Sequence, residues 1–226
     1  GAHGIDLYQL IVGGDAPMLN LVDKGKIPPP ATTPDKASMY LAGVEFMEKH
    51  KVKKLSVNHW ARDNRERSIY NSLAKTYAEV LPIGCGAGGN VGGHGIMQHR
   101  TLETYMDSVK RGELPIAMMT KQSELEPIFS SLKAGFDSGV VRRSLLPTFM
   151  GQDAFDYLKP LFSHWQNNEL VELSEDYLTL TNAGSFWAVT LAQSVIQILN
   201  AEYFEVNPQA RPSRPAHHPH AVKKHA

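Results

Sequence analysis

Residues able to do chemistry gather in two stretches of this 226-residue chain. The first is Asn58-His59-Trp60-Ala61-Arg62. Its imidazole suits a metal or a substrate, and its guanidinium can fork onto a carboxylate. The plainer reading stays open beside it. His59 then serves as a hydrogen-bonded loop residue, Trp60 as packing, and Asp63 to Arg67 as a solvated charge run. The second stretch runs from Pro82 to Arg100. Seven of the chain's 18 glycines fall between Gly84 and Gly95, and His94, His99 and Arg100 close the far end. Glycine is used where backbone must approach something closely or take a positive φ. Bare N–H groups at a strand end suit an anionic or planar cofactor. The same density also describes a surface loop with no ligand. Cys85 stands alone inside it and reads first as a small buried hydrophobe, with an axial thiolate as the lesser alternative.

The elements that must carry these residues read as a mixed α/β chain. Ile5 to Val12 is an almost unbroken apolar run, as expected of a buried strand in a parallel sheet. Its closeness to Gly1 leads us to expect further strands before it. Thr33 reads as an N-cap with Pro34 opening a helix to about His50, its inner face Ala37, Tyr40, Leu41, Val44 and Met47. Leu55-Ser56-Val57 is expected as the next strand, with His59 at its C-terminal end, where α/β folds place ligands. From Ser68 to Glu79 the pattern fits a short helix and a loop equally well. After Arg100 helices dominate. One runs from Thr101 with Leu102, Tyr105, Met106 and Val109 inward, and a second from Ser123 to Ala134, closed by Gly135. A third runs from Gln152 to Asn167 with Pro160 inside it. Leu170 to Leu180 predicts a hairpin, and Thr181 caps a last helix to about Asn200.

Composition narrows the function classes. Lys plus Arg and Asp plus Glu each number 23, so no overall field favours nucleic acid or an anionic membrane. No run reaches the ~20 apolar residues of a membrane span, and Gly1 to Gly14 lacks a basic leader. A single cysteine excludes an internal disulfide framework and fits a reducing, cytoplasmic setting. It also excludes an all-cysteine metal site built from this chain alone. The His/Pro-rich tail from Asn207 cannot build a core and is expected to be disordered, with His217, His218 and His220 as adventitious ligands only.

Four stretches carry a family resemblance: Ile5 to Leu10 followed by Gly14 to Pro17, Asn58 to Arg62, Ile83 to Gly88, and Leu178 to Gly184. In order and spacing they resemble the C-terminal half of the oxygen-independent coproporphyrinogen III oxidase-like radical SAM proteins. The glycines through Gly95 and His94 look closest to the haem-utilisation branch, which resembles proteins that open the haem ring anaerobically. The resemblance implies the last strands of a partial β/α barrel over residues 1–100. A helical, winged-helix-like cap would follow over 101–206 and the tail over 207–226. The last helix, apolar and almost without basic residues, argues against DNA reading by that cap.

The resemblance also implies S-adenosylmethionine, with Ile11 and the Gly86-Ala87-Gly88 backbone as its contacts. It implies a [4Fe–4S] cluster held by a CxxxCxxC motif, which this chain lacks, so no metal ligands are assigned here. Gln9, His59, Arg62, His94 and His99 stand on the haem or tetrapyrrole side. Arginine would pair with propionates and histidine with iron. Partners expected are the tetrapyrrole, the barrel half that carries the cluster, and other strands at an exposed edge. The alternatives are a non-catalytic haem- or partner-binding module and a coproporphyrinogen oxidase-like role in porphyrin biosynthesis.

Overall fold

A computed structural model describes residues 1–12, 17–67, 69–74 and 78–210. In chain order it has β1 (Gly4–Asp6), α1 (Pro17–Asp23), α2 (Thr33–Lys49), β2 (Lys53–Lys54), β3 (His59–Ala61), α3 (Ile69–Ala74), β4 (Gly88–Val91) and β5 (His94–Gln98). Then come α4 (Leu102–Lys110), β6 (Ile116–Lys121), α5 (Glu126–Ser138), β7 (Val140–Arg142), α6 (Ala154–Asn167), β8 (Val171–Leu173), β9 (Tyr177–Leu180), α7 (Asn182–Phe186) and α8 (Ala188–Val206). The expected tail beyond Ala210 lies outside the described residues, as do Gly14 to Ala16 of the first motif.

Among the described residues three sheets of three strands form, ordered β1-β3-β2, β4-β5-β6 and β7-β9-β8. Every ladder is antiparallel. That corrects the expectation of parallel strands. A parallel pair needs a long crossover, whereas β2 and β3 are joined by a tight turn. The N–H groups of Leu55 and Ser56 both donate to the His59 carbonyl, at 2.8 and 3.1 Å. Leu55 to Val57 is therefore a turn rather than a strand, and His59 sits within a strand rather than past its end. The Ile5 to Val12 strand is also shorter than expected. Only Gly4–Asp6 pairs with β3, and Ile11 is 87% exposed.

The helices follow their punctuation closely. Thr32 rather than Thr33 caps α2: its Oγ1 accepts from the Asp35 N–H while Asp35 accepts from the Thr32 N–H. Helix α2 buries Tyr40, Val44 and Met47 against Trp60 of β3, and Leu41 stays exposed. Helix α5 runs through Gly135 to Ser138 and ends at Gly139, whose φ of 82° is the left-handed cap. Gly135 serves packing instead, because a Cβ there would lie 2.9 Å from Val141. The helix from Thr101 forms, yet Leu102, Met106 and Val109 are exposed rather than inward. Strand β6 was not legible in Ile-Ala-Met-Met-Thr-Lys; it extends the second sheet, so that sheet's ladder crosses residue 100.

The main core lies in the C-terminal part. Phe129, Leu132 and Phe136 of α5 meet Phe155, Leu158, Phe162 and Trp165 of α6, the β8–β9 hairpin, and Leu191, Val195 and Leu199 of α8. Thr181 accepts from the Gly184 N–H and donates to the carbonyls of Glu169 and Leu170. A Cβ on Gly184 would fall 1.9 Å from the Leu170 oxygen. The Leu178 to Gly184 motif is thus a clasp between hairpin and helix, and Trp187 then breaks the expected last helix in two.

Candidate functional site

The glycine-rich stretch folds as a hairpin, not an open loop. Gly92 and Gly93, with φ of 57° and 70°, make its two-residue turn between β4 and β5. Two positive φ values in succession are what a type I′ turn needs, and glycine supplies them without steric cost. Gly89 leaves room for the incoming chain: a Cβ there would lie 2.1 Å from the Val80 carbonyl, which is bonded to Asn90. Ahead of β4, the Gly86 N–H donates to the His99 carbonyl at 2.8 Å and the Ala87 N–H to the Gly84 carbonyl at 3.2 Å. Those N–H groups are therefore engaged inside the chain. Cys85 is exposed, its thiol lying 3.3 and 3.2 Å from the carbonyls of His99 and Arg100.

Glycine does floor a cleft here. Gly89 and Gly95 line a polar space of ≈ 480 Å³ with Lys121, Glu126, Ser130 and Lys133. Neither Ile11 nor His59 is among its walls. A second cleft of ≈ 520 Å³ lies between the extension of β1 and α2, lined by Asp6, Tyr8, Gln9, Lys36, Met39 and Tyr40 among others. None of the loop glycines reaches it. The one cofactor floor expected from the sequence is two clefts on two sheets. The reason is the antiparallel pairing, which folds the glycine run back on itself instead of laying its end beside β1 and β3.

The residues read as tetrapyrrole contacts separate in the same way. Gln9 is on the wall of the ≈ 520 Å³ cleft. His59 is 7% exposed on β3, and Arg62 lies just beyond that strand, with its N–H donating to the His3 carbonyl. His94 and His99 belong to β5 and its end; the His94 Nδ1 lies 2.8 Å from the Gly92 carbonyl, locking it to the turn. Five strand residues carry His94 and His99 roughly 16 Å apart, too far to share one iron.

Around His59 the structure gathers groups that the sequence reading passed over. His59 faces Asp6 directly across the β1–β3 ladder, and its Nδ1 lies 2.5 Å from the Asp6 carboxylate. Its Nε2 lies 3.4 Å from Glu66 Oε1 but is buried without an aligned hydrogen bond. Both acids were hidden in the sequence, one in an apolar strand and one in a charge run. Next to them His3 pairs with Asp63 at 2.9 Å, and Arg65 lies 3.7 Å from the same carboxylate. The Arg65 N–H, the largest cause, holds Asp63 below the usual carboxylate range, with His3 and Arg65 adding to it against burial. Tyr8 is pushed up, first by burial, then by the charges of Asp6 and Asp137.

An iron–sulfur cluster does not fit these residues. The chain has one cysteine, and among the described residues no group of three His, Cys, Asp or Glu is placed to hold a metal. S-adenosylmethionine finds no ready site on this chain alone either, because Ile11 is exposed beyond β1 and the Gly86 and Ala87 N–H groups are already used. Among the described residues no helix is long and apolar enough to cross a membrane.

No family model matches the chain. Over 207 residues it is 34% identical to an anaerobilin synthase of Escherichia coli O157:H7, covering 89% of this chain and 45% of that protein. Its fold matches a coproporphyrinogen III oxidase of Escherichia coli, described as a radical SAM enzyme, with a TM-score of 0.59. That match is at 13% identity and covers 76% of this chain and 44% of the other. The chain thus resembles an anaerobilin synthase in sequence and a coproporphyrinogen III oxidase in fold, and it spans less than half the length of either protein.

Proposed function

We propose that the chain is the C-terminal portion of a radical SAM haem-utilisation protein and supplies part of its tetrapyrrole pocket. The observation that carries this is the 34% identity to an anaerobilin synthase across 89% of the chain. In this reading residues 1–100 adjoin the end of the family's partial β/α barrel, with their own strands paired antiparallel and β6 completing the second sheet. Residues 101–206 are a cap of winged-helix-like order, in which the β8–β9 hairpin lies between α6 and the α7–α8 pair. The cluster belongs to the partner half of the protein, since Cys85 alone cannot hold it. With that half in place, Ile11 and the Gly86-Ala87-Gly88 backbone would flank S-adenosylmethionine. The largely apolar cleft beside Gln9 suits the body of a tetrapyrrole, with Lys36 at its wall for a propionate. Arg62 is exposed and able to take a second carboxylate, and either His94 or His99, but not both on one iron, is a candidate ligand.

Titrating the chain with haem tests this. The expected result is a Soret shift that persists when residues 211–226 are deleted and falls when His94 and His99 are replaced by alanine. No shift, or one carried wholly by the deleted tail, overturns the pocket. A single cysteine favours a second reading, a haem-binding module without catalysis by this chain alone. That reading expects the same titration but no change on adding the cluster-bearing half.

A further inference from the structure

We propose that Asp6, His59 and Glu66 form a proton-transfer site, in which the buried imidazole links two surface carboxylates and serves a nitrogen-heterocyclic ligand bound beside Asp6. The ligand class rests on the tetrapyrrole reading above; the proton link does not.

Strand alternation sets the geometry. Trp60 packs with Tyr40, Val44 and Met47 of α2, so its neighbours His59 and Ala61 face the other side of the sheet. Asp6 is the direct partner of His59 in the ladder, and Gly4 is the partner of Ala61. Glu66 lies over Gly4: a Cβ at that glycine would sit 2.6 Å from the Glu66 Cγ. The two acids thus flank the ring from opposite nitrogens, at 2.5 Å on Nδ1 and 3.4 Å on Nε2.

A purely structural histidine satisfies both ring nitrogens, because a buried polar atom without a partner costs roughly 1–3 kcal/mol. Here Nδ1 is bonded while Nε2 is buried and unbonded, within charge range of Glu66 but out of alignment. The ring is 9% exposed, whereas the Asp6 and Glu66 side chains are 40% and 29% exposed. Both acids therefore reach water and the ring between them does not. In the transfer, a protonated Glu66 gives its proton to Nε2 as Nδ1 passes its own to Asp6. Two protons each shift one place, the net result is one proton carried from Glu66 to Asp6, no electron changes hands, and the reverse step restores the first tautomer.

Asp6 borders the ≈ 520 Å³ cleft with Tyr8, Gln9 and Lys36, and Tyr8 feels the charge of the Asp6 carboxylate. The charged and titratable groups around the ring are Asp6 on β1, Tyr8 beyond it, and Glu66 after β3, with the His3–Asp63–Arg65 group alongside. A carboxylate backed by an imidazole suits a pyrrole or azomethine nitrogen that gains or loses a proton.

Two measurements on the full chain test this. Imidazole nitrogen resonances, followed with ¹⁵N-labelled histidine from about pH 5 to about pH 9, report the tautomer. The expected proton is on Nδ1 of His59 in the native chain and on Nε2 in Asp6→Ala, where Glu66 is the remaining acceptor. A tautomer unmoved by Asp6→Ala, in a variant whose circular dichroism is native, overturns the link. The second measurement adds metal-free protoporphyrin and counts protons with a pH indicator per molecule bound. The expected count is a fraction of a proton or more in the native chain and none in Glu66→Gln or His59→Asn. An unchanged count overturns the proposal. No porphyrin binding by the native chain overturns the tetrapyrrole reading instead, and the tautomer experiment then decides the proton link.

Discussion

The two ends of the chain solve the burial problem differently. From α5 to α8 the apolar residues close on one another, and Phe162 is fully buried. From β1 to β5 they do not. The N-terminal cluster is Tyr40, Val44, Met47 and Trp60, while Tyr8, Leu10, Ile11, Leu81 and Ile83 stand in the open. Those five lie outside the strands, in the segments after β1 and before β4. The closed part buries most of its apolar residues, and the open part leaves many of its own exposed. Several links join the two, with Val57 buried in the closed part's core. The Tyr40 hydroxyl donates to the Val57 carbonyl at 2.9 Å and its ring meets Phe186. The Val57 N–H donates to the Asp137 carbonyl at 2.8 Å, and Lys54 reaches Ser185 at 3.3 Å.

The largest expected effect is in the closed part. Phe162→Ala should cost roughly 3–5 kcal/mol, and thermal unfolding should show both regions melting together, because the open part leans on the closed one. Trp60→Ala removes a side chain that is 1% exposed, but from a small cluster. Hydrogen exchange should then rise over residues 1–62 while α6 and α8 keep their protection. If Trp60→Ala unprotects α8 as well, the two regions are one cooperative unit and the contrast fails. Tyr40→Phe sharpens it further. Losing the hydroxyl's bond to Val57 should cost about 1 kcal/mol and raise exchange mainly at the joint.

The contrast also explains what the sequence disclosed. Closed-part elements were legible because periodicity and partner agree: Phe155, Leu158, Phe162 and Trp165 recur at helical spacing and find α5 and α8 facing them. Open-part elements misled for the same reason reversed. Ile5 to Val12 and the Leu102–Val109 stripe carry the apolar pattern of buried elements, but Leu10, Ile11, Leu102, Met106 and Val109 stay exposed. The glycine run was legible as special backbone and not as a hairpin, because Gly92-Gly93 fixes a turn only once β5 and β6 are known to follow. Asp6 and Glu66 were invisible as site residues because only the β1–β3 register brings the first opposite His59.

The smallest effect uses one capping device present in both regions. Asp35 sits in the first turn of α2 and Asp153 caps α6, and both carboxyls are held below the usual carboxylate range. The Thr32 side chain is the main cause for Asp35, and the Asp156 N–H is the main cause for Asp153, with Arg143 adding to it against burial. A carboxyl lowered in the folded state adds stability above its unfolded pKa, near 3.9, and loses it as the pH falls through the lower folded value. Below about pH 4 both helix starts should therefore loosen. Asn keeps a capping oxygen without the titration, so Asp35→Asn and Asp153→Asn should each flatten part of the acid response. The difference lies in reach. Helix α6 is built into the closed core, so Asp153→Asn should change the acid dependence of global unfolding. Helix α2 rests on the small cluster, so Asp35→Asn should change only amide exchange near its own first turn. Equal effects on global acid unfolding would mean that the open region is as tightly bound to the fold as the closed one.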